Sequence, residues 1–262
     1  FYSTFHTAYN LEKIVLPKNI YGNITSMQNA FFYCRKLKEV ENLQTLISKL
    51  VGTIGCGFVE CTLDKKYSLV LPSTITELYQ AFNKLVAPQS EIEIQGATGT
   101  PGLHGAFNTA YIRKVKITGQ INATNITYAF QNAYILESLE GTEYIGSQTS
   151  NVDGTGFLNY CYSLSSPVIL YAKLTKIDIK GSTTLNLNTK ITSIRLMNPN
   201  SPYSGTSPQI DVSYNSLDAT ALNTLFGDLP VLSGKTIKIT GNPGAGTCDT
   251  SIATSKGWTV QN

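Results

Sequence analysis

The chain has little charge. Asp, Glu, Lys and Arg make up 14% of its 262 residues, and the formal net charge is only +3. A typical soluble domain carries roughly 25% charged residues. Disordered chains are usually charge-rich and aromatic-poor, whereas aromatics here reach 10%, so disorder is excluded. The 20 basic residues are scattered, which argues against a nucleic-acid partner. No run of about 18 apolar residues exists, so no membrane insertion is expected. Five cysteines cannot form a complete disulfide framework, so at least one thiol is free or pairs between chains. Histidine occurs only at His6 and His104. There is no H-E-x-x-H, no paired C-x-x-C and no nucleophile elbow. No catalytic residue, metal or cofactor is expected, and the chain reads as a non-enzyme.

Uncharged polar residues fill the space that charge leaves: 20 Asn, 31 Thr and 22 Ser. The start, Phe1-Tyr2-Ser3-Thr4-Phe5, is not a signal peptide. A chain beginning at Phe reads as a fragment or processed product, whose targeting signal would lie upstream.

A repeat runs through most of the sequence. Phe5-His6-Thr7-Ala8-Tyr9 recurs as Phe107-Asn108-Thr109-Ala110-Tyr111 and as Phe130-Gln131-Asn132-Ala133-Tyr134. Leading Phe residues fall at 5, 31, 58, 82, 107, 130 and 157, in steps of 23 to 27 residues. That period lies in the range of leucine-rich repeats. Strand signatures follow: Leu11-x-x-Ile14-x-Leu16, Ile112-x-x-Val115-x-Ile117, Leu174-x-x-Ile177-x-Ile179 and Ile191-x-x-Ile194-x-Leu196. Alternate strand residues face one side, so the apolar pairs point inward. Pro17 and Pro72 end such runs because proline lacks the donor that continues a ladder. One unit cannot bury its own apolar face, but stacked units can. The residue three places after the leading Phe must be small or soft, which reads Cys34 and Cys61, and Cys161 in a slipped copy, as buried apolar residues.

The copies Ala30-Phe31-Phe32-Tyr33-Cys34-Arg35-Lys36-Leu37-Lys38-Glu39-Val40 and Leu69-Val70-Leu71-Pro72-Ser73-Thr74-Ile75 resemble the BspA-type (Treponema-type) leucine-rich repeat. The resemblance spans roughly residues 1–180. It implies an α/β repeat: a leucine-rich-repeat solenoid with a parallel β-sheet and a loop-rich convex side. Proteins of this family are bacterial surface adhesins, or occur in bacteriophage and protist proteins, and they act by binding. The resemblance therefore implies recognition of a protein or carbohydrate ligand at a cell surface. The location would be extracellular, on a cell surface or in a phage virion. A structural spacer or virion module without its own ligand is the alternative.

Beyond residue 180 the Phe motif is lost, while strand centres near Ile177, Ile194 and Ile210 continue at shorter steps. Ile210 to Leu217 resembles a short leucine-rich repeat with Asn215 as its asparagine. Asp218 then reads as the N-cap of a helix through Leu229, stopped by Pro230. A strand at Thr236–Ile239, a short helix ended by Gly257 and a last strand at Trp258–Val260 complete the chain. Residues 1–217 are accordingly read as the solenoid and 218–262 as a helix/strand capping unit of the same continuous domain. The ending, with Gly241-Asn242-Pro243-Gly244 and Gly257-Trp258, also resembles the C-termini of repeat proteins from gut bacteria and their phages.

Two surface features stand out. Glu91 and Glu93 on one strand, and Lys114 and Lys116 on the next, should lie side by side as a cross-strand charge ladder. Tyr9, Tyr111, Tyr134 and Tyr162 share one repeat position. The candidate ligand-facing residues are thus Glu91, Glu93, Lys114, Lys116, Tyr111 and Tyr134. Glu39 and Glu41 form a second outward carboxylate pair. His6 occupies a variable repeat slot, and His104 lies in the loop Gly96–Gly105. The Gly-rich run Gly241–Thr247 lacks the lysine of a phosphate loop and reads as a connection. N-x-S/T sites occur at Asn23, Asn122 and Asn125. The low charge follows from stacking: like charges in register repel along the whole coil, whereas Asn, Thr and Ser do not.

Overall fold

In a computed structural model, which describes residues 1–97 and 102–262, the chain coils into a parallel-strand β-solenoid of about 11 turns with few helices. Residues 98–101 of the Gly96–Gly105 loop lie outside the described residues.

The strands are short. The first are β1 (Lys13–Val15), β2 (Ile24–Ser26), β3 (Glu39–Glu41), β4 (Leu50–Thr53) and β5 (Ser68–Leu71). Next come β6 (Glu91–Ile94), β7 (Lys114–Ile117), β8 (Ser138–Glu140), β9 (Asn151–Gly154) and β10 (Val168–Leu170). The last are β11 (Lys173–Asp178), β12 (Ile194–Leu196), β13 (Ile210–Asp211), β14 (Lys235–Lys238) and β15 (Trp258–Gln261). Among the described residues the α-helices that join them are α1 (Leu43–Ile47), α2 (Ala219–Asp228) and α3 (Ser251–Thr254), with a 3-10 turn at Thr142–Tyr144.

Every turn passes through one leader position, filled first by Phe. Phe5, Phe31, Phe58, Phe82, Phe107 and Phe130 stack in a column with ring centroids 5.0 to 5.6 Å apart and planes within 24°. Each leader N–H donates to the carbonyl just before the next leader, as Phe5 does to Ala30 and Phe107 to Ala129. Fully burying a Phe side chain contributes roughly 1.5–3 kcal/mol, so this column is a main source of stability. Two residues past each of these leaders the backbone is left-handed, at Thr7, Tyr33, Glu60, Lys84, Thr109 and Asn132, with φ of 54° to 60°. Such a conformation costs a β-branched residue roughly 1–2 kcal/mol, and the stacked neighbours hold it.

The backbone ladder corrects the register inferred from Phe spacing. Phe130 donates to the carbonyl of Phe157, so the next leader is Leu158 and not Phe157. Phe157 fills the place that Ala holds in other turns, and its ring meets Phe130 edge-on at 5.8 Å and 86°. The ladder then continues unbroken: Leu158 donates to Asp178, Ile179 to Asp211, Val212 to Lys238 and Ile239 to Gln261. Aliphatic leaders thus replace Phe after residue 157, which is why the motif fades there. The short steps between Ile177, Ile194 and Ile210 have a different cause: β11, β12 and β13 alternate between two rows of strands, since β11 pairs with β13 and β12 with β10.

One row of strands follows the leaders. It holds β1–β3, the four-stranded sheet β5–β6–β7–β8, and β10–β12, all parallel. The other row precedes them and holds β2–β4 and the sheet β9–β11–β13–β14–β15. Where the first row is interrupted, side chains stand in for backbone. The Gln44 amide in α1 accepts from Val70 N–H at 2.8 Å and donates to Val70 O at 3.0 Å. The Thr142 hydroxyl accepts from Ile169 N–H at 2.9 Å. In the last turns α2 packs beside β12, capped by Asp218, whose carboxylate accepts from Ala221 N–H at 2.8 Å. Among the described residues, no helix is long and apolar enough to cross a membrane.

Candidate binding surface

The sheet β5–β8 carries the expected charge ladder. Glu91 pairs in register with Lys114, and Glu93 with Lys116. Ile92, Ile94, Val115 and Ile117 are buried beneath, so the charged residues face outward. The rows extend to Ser68 and Val70 on β5 and to Ser138 and Glu140 on β8. Together these outward side chains line a shallow depression of about 300 Å³. Within it, Lys114 Nζ lies 3.4 Å from Glu91 Oε1. Glu93 accepts instead from the Thr118 hydroxyl at 3.3 Å. Among the described residues Lys116 forms no ion pair. The other candidate carboxylates, Glu39 and Glu41 on β3, also face outward and are held by Lys13, with Lys65 adding to Glu39. The Lys65 bond holds the Glu39 carboxyl below its ordinary range.

The tyrosines at the shared repeat position face solvent at the corner between leader and sheet. Tyr9 is 50% exposed, Tyr111 40% and Tyr134 38%. Tyr134 and Tyr162 stack with centroids 5.8 Å apart and planes within 6°. Arg35 holds the same position one turn after Tyr9 and pairs with Glu60, which also binds Lys84. Both cations lower the Glu60 carboxyl, Lys84 more strongly.

All five cysteines are free. Cys34, Cys61 and Cys161 are buried three places after a leader, and each thiol donates to the previous leader's carbonyl. Burial pushes the Cys161 thiol up to about 12, so it is a packing group and not a nucleophile. His6 stacks on Phe32 at 5.0 Å in its repeat slot. His104 stacks on Tyr79 at 5.4 Å.

Two arrangements extend beyond the sequence pattern, which marks Asn215 as a repeat asparagine but not its partners. Asn215 and Asn242 occupy the cysteine position in later turns and donate to the carbonyls of Ile179 and Val212. Asp178 and Asp211 lie in register on β11 and β13, both buried, with Lys180 bonded to Asp211 at 2.9 Å. Burial raises the Asp178 carboxyl above its ordinary value. Among the described residues no group of three His, Cys, Asp or Glu side chains is placed to hold a metal. Among the described residues the unpartnered buried side-chain atoms are Asn83 Oδ1, Asn159 Oδ1 and Thr240 Oγ1, all one place after a leader.

Compared with family models, curated proteins and solved structures, the chain matches none.

Proposed function

We propose that this solenoid is a non-enzymatic recognition module whose depression on β5–β8 binds a ligand at a cell surface. The in-register rows of Glu91, Glu93, Lys114 and Lys116 carry this reading, because they set charges of both signs on a rigid, shallow surface. Rigid scaffolds lose little entropy on binding, and charge patterns of this kind select a protein partner by complementarity. The half-exposed Tyr111 and Tyr134 border the sheet and add large, stiff contact area. Within the same reading, the leucine-rich-repeat assignment and its BspA-type form draw support from the small or amide-bearing column that follows the leaders. A bacterial surface adhesin or a phage tail component is the setting in which such a module acts.

The test is a screen of the chain against arrayed extracellular proteins and glycans, repeated with the double variant Lys114→Ala, Lys116→Ala. Binding that the double variant loses supports the reading; a target bound equally well by both proteins overturns it for this surface. The second reading, a structural spacer, draws on ion pairs that link successive turns, such as Arg35–Glu60–Lys84 and Lys38–Glu12. It predicts no ligand on the arrays and incorporation of the chain into a larger particle.

A further inference from the structure

The geometry points to a second binding site, a saddle at Val86 that takes a carboxylate-bearing sugar ring. It lies at the corner between leader and sheet, and Tyr111 is the one residue it has in common with the surface proposed above.

The position four places after a leader forms a row along this corner. The row runs from Tyr9 and Arg35 through Thr62 and Val86 to Tyr111 and Tyr134. Thr62 bridges to Val86, and Val86 to Tyr111, so the backbone of the row is continuous here. Two small side chains between large ones leave a dip. At about 4.8 Å per turn, the backbones of Arg35 and Tyr111 stand about 14 Å apart across it. The depression measures about 400 Å³, a size that suits a small ligand. Thr62 and Val86 form its floor, Arg35 and Tyr111 its ends, and Glu60 and Lys84 line one side. Val86 is exposed there, an apolar surface with nothing over it.

The charges in the saddle do not balance. Glu60 Oε2 accepts from Arg35 Nε at 3.0 Å and from Nη2 at 2.6 Å, and Oε1 accepts from Lys84 Nζ at 2.9 Å. One carboxylate thus serves two cations, and one positive charge has no counterion among the lining residues. The cations are also the accessible members: the side chains of Arg35 and Lys84 are 59% and 55% exposed, against 18% for Glu60. Arg35 is held ready, with its guanidinium 5.0 Å from the centre of the Tyr33 ring and 6.0 Å from that of Tyr9. Its Nη1 and the second hydrogen of Nη2 have no acceptor among the described residues. Those two groups form the end of a planar fork, which matches a carboxylate.

The remaining surfaces say what the carboxylate is attached to. The negative face of the Tyr111 ring attracts the polarised C–H groups of a sugar ring. Val86 offers apolar contact to the same groups, and Thr62 brings a hydroxyl that can both donate and accept. An acidic peptide side chain would reach Arg35 but has only methylene groups to set against Tyr111 and nothing for Thr62. A single uncompensated charge also suits one carboxylate better than a doubly charged phosphate. A sialic acid and a uronic acid both have this chemistry.

The test is calorimetric titration of the whole chain with sialyllactose and with trigalacturonate, using lactose as the neutral control and tetraglutamate as the acidic peptide. At least one acidic sugar should bind about tenfold or more tightly than lactose and tetraglutamate do; which of the two binds identifies the source. Arg35→Gln and Tyr111→Ala should each weaken that binding about tenfold or more. Val86→Tyr should abolish it. Tyr111 and Tyr134 show that the slot accepts tyrosine, so this variant fills the saddle and keeps the turn. Thermal melts of the variants report folding. No binding of either acidic sugar, equal binding of lactose or tetraglutamate, or binding that survives Val86→Tyr overturns the inference. Acidic-sugar binding that Val86→Tyr keeps and Lys114→Ala with Lys116→Ala loses would place the sugar on the charged sheet, which overturns this site and leaves the first reading standing.

Discussion

The thiol of Cys61 donates to the carbonyl of Phe31 at 2.7 Å, from the turn that follows it. Asn242 does the same to Val212 at 2.8 Å, further along the coil. Both residues stand three places after a leader, and both reach back to the previous leader's carbonyl. A thiol and an amide thus perform one task, but they do so with different dependence.

Cys61→Ala should therefore be mild. The Phe31 carbonyl keeps a second donor, Cys34 N–H at 3.1 Å, and a thiol is a weak donor. We expect a loss of about 1 kcal/mol in urea unfolding. Asn242→Ala should cost more, about 2–3 kcal/mol, because it strands the buried Leu217 N–H, which donates to Asn242 Oδ1 at 3.2 Å. Equal losses in the two variants would show that the column acts by packing alone.

Much of this architecture is legible in the sequence where a distinctive residue repeats. Phe at 5, 31, 58, 82, 107 and 130 marks the leaders, because only one residue type fills that column. The Glu91–Lys114 and Glu93–Lys116 register follows from aligning the alternating apolar residues Ile92 and Ile94 with Val115 and Ile117 in the next turn. After Phe130 the column changes to Leu158, Ile179, Val212 and Ile239, which look like any buried aliphatic residue. Phe157 then misleads, since it sits one place before the leader. The Gln44 bond to Val70 and the Asp178–Asp211 stack join residues from adjacent turns, and no local pattern announces them. The left-handed residues at Thr109 and Lys84 are equally silent, because the stack imposes a conformation their side chains do not favour.

The leader column should be weaker at Phe5 than at its middle. Phe82 is fully buried between Phe58 and Phe107. Phe82→Ala should cost about 3–5 kcal/mol. Phe5 is only partly buried, stacking on Phe31 and tilted against Phe1. Phe5→Ala should cost clearly less, since nearest-neighbour contacts dominate a solenoid. Chemical denaturation of the two variants checks the order; a larger loss for Phe5→Ala would refute it.

Gly156 carries a sharper requirement. Its φ is 67°, and a Cβ would lie 2.4 Å from the Tyr128 ring. Gly156→Ala should lose about 1–2 kcal/mol from the backbone alone, plus the cost of displacing the ring. The second part should vanish in a Tyr128→Ala background. A double-mutant cycle on unfolding free energies isolates it; additive losses would mean that the ring yields freely.

The buried carboxylate Asp178 makes stability depend on pH in a direction opposite to that of the ion-paired glutamates. Its surroundings include Lys176, Lys180 and the in-register Asp211, and its Oδ2 accepts from Gly156 N–H at 3.0 Å. Burial dominates and raises its pKa above the ordinary aspartate value. The folded state therefore favours the protonated acid. Its contribution is fully present below the unfolded-state value, about 3.9, and is lost as pH rises through the raised one. Asp178→Asn keeps an acceptor for Gly156 and removes the titration. The variant should match the wild type near pH 3 and melt at a higher temperature near pH 7. Glu60 runs the other way: its ion pairs lower its pKa, so their contribution fades as the solution is acidified. Melting curves of Asp178→Asn and Glu60→Gln across this range should diverge from wild type with opposite signs. A wild type that outlasts Asp178→Asn at neutral pH would mean that Lys176 and Lys180 outweigh burial at this site.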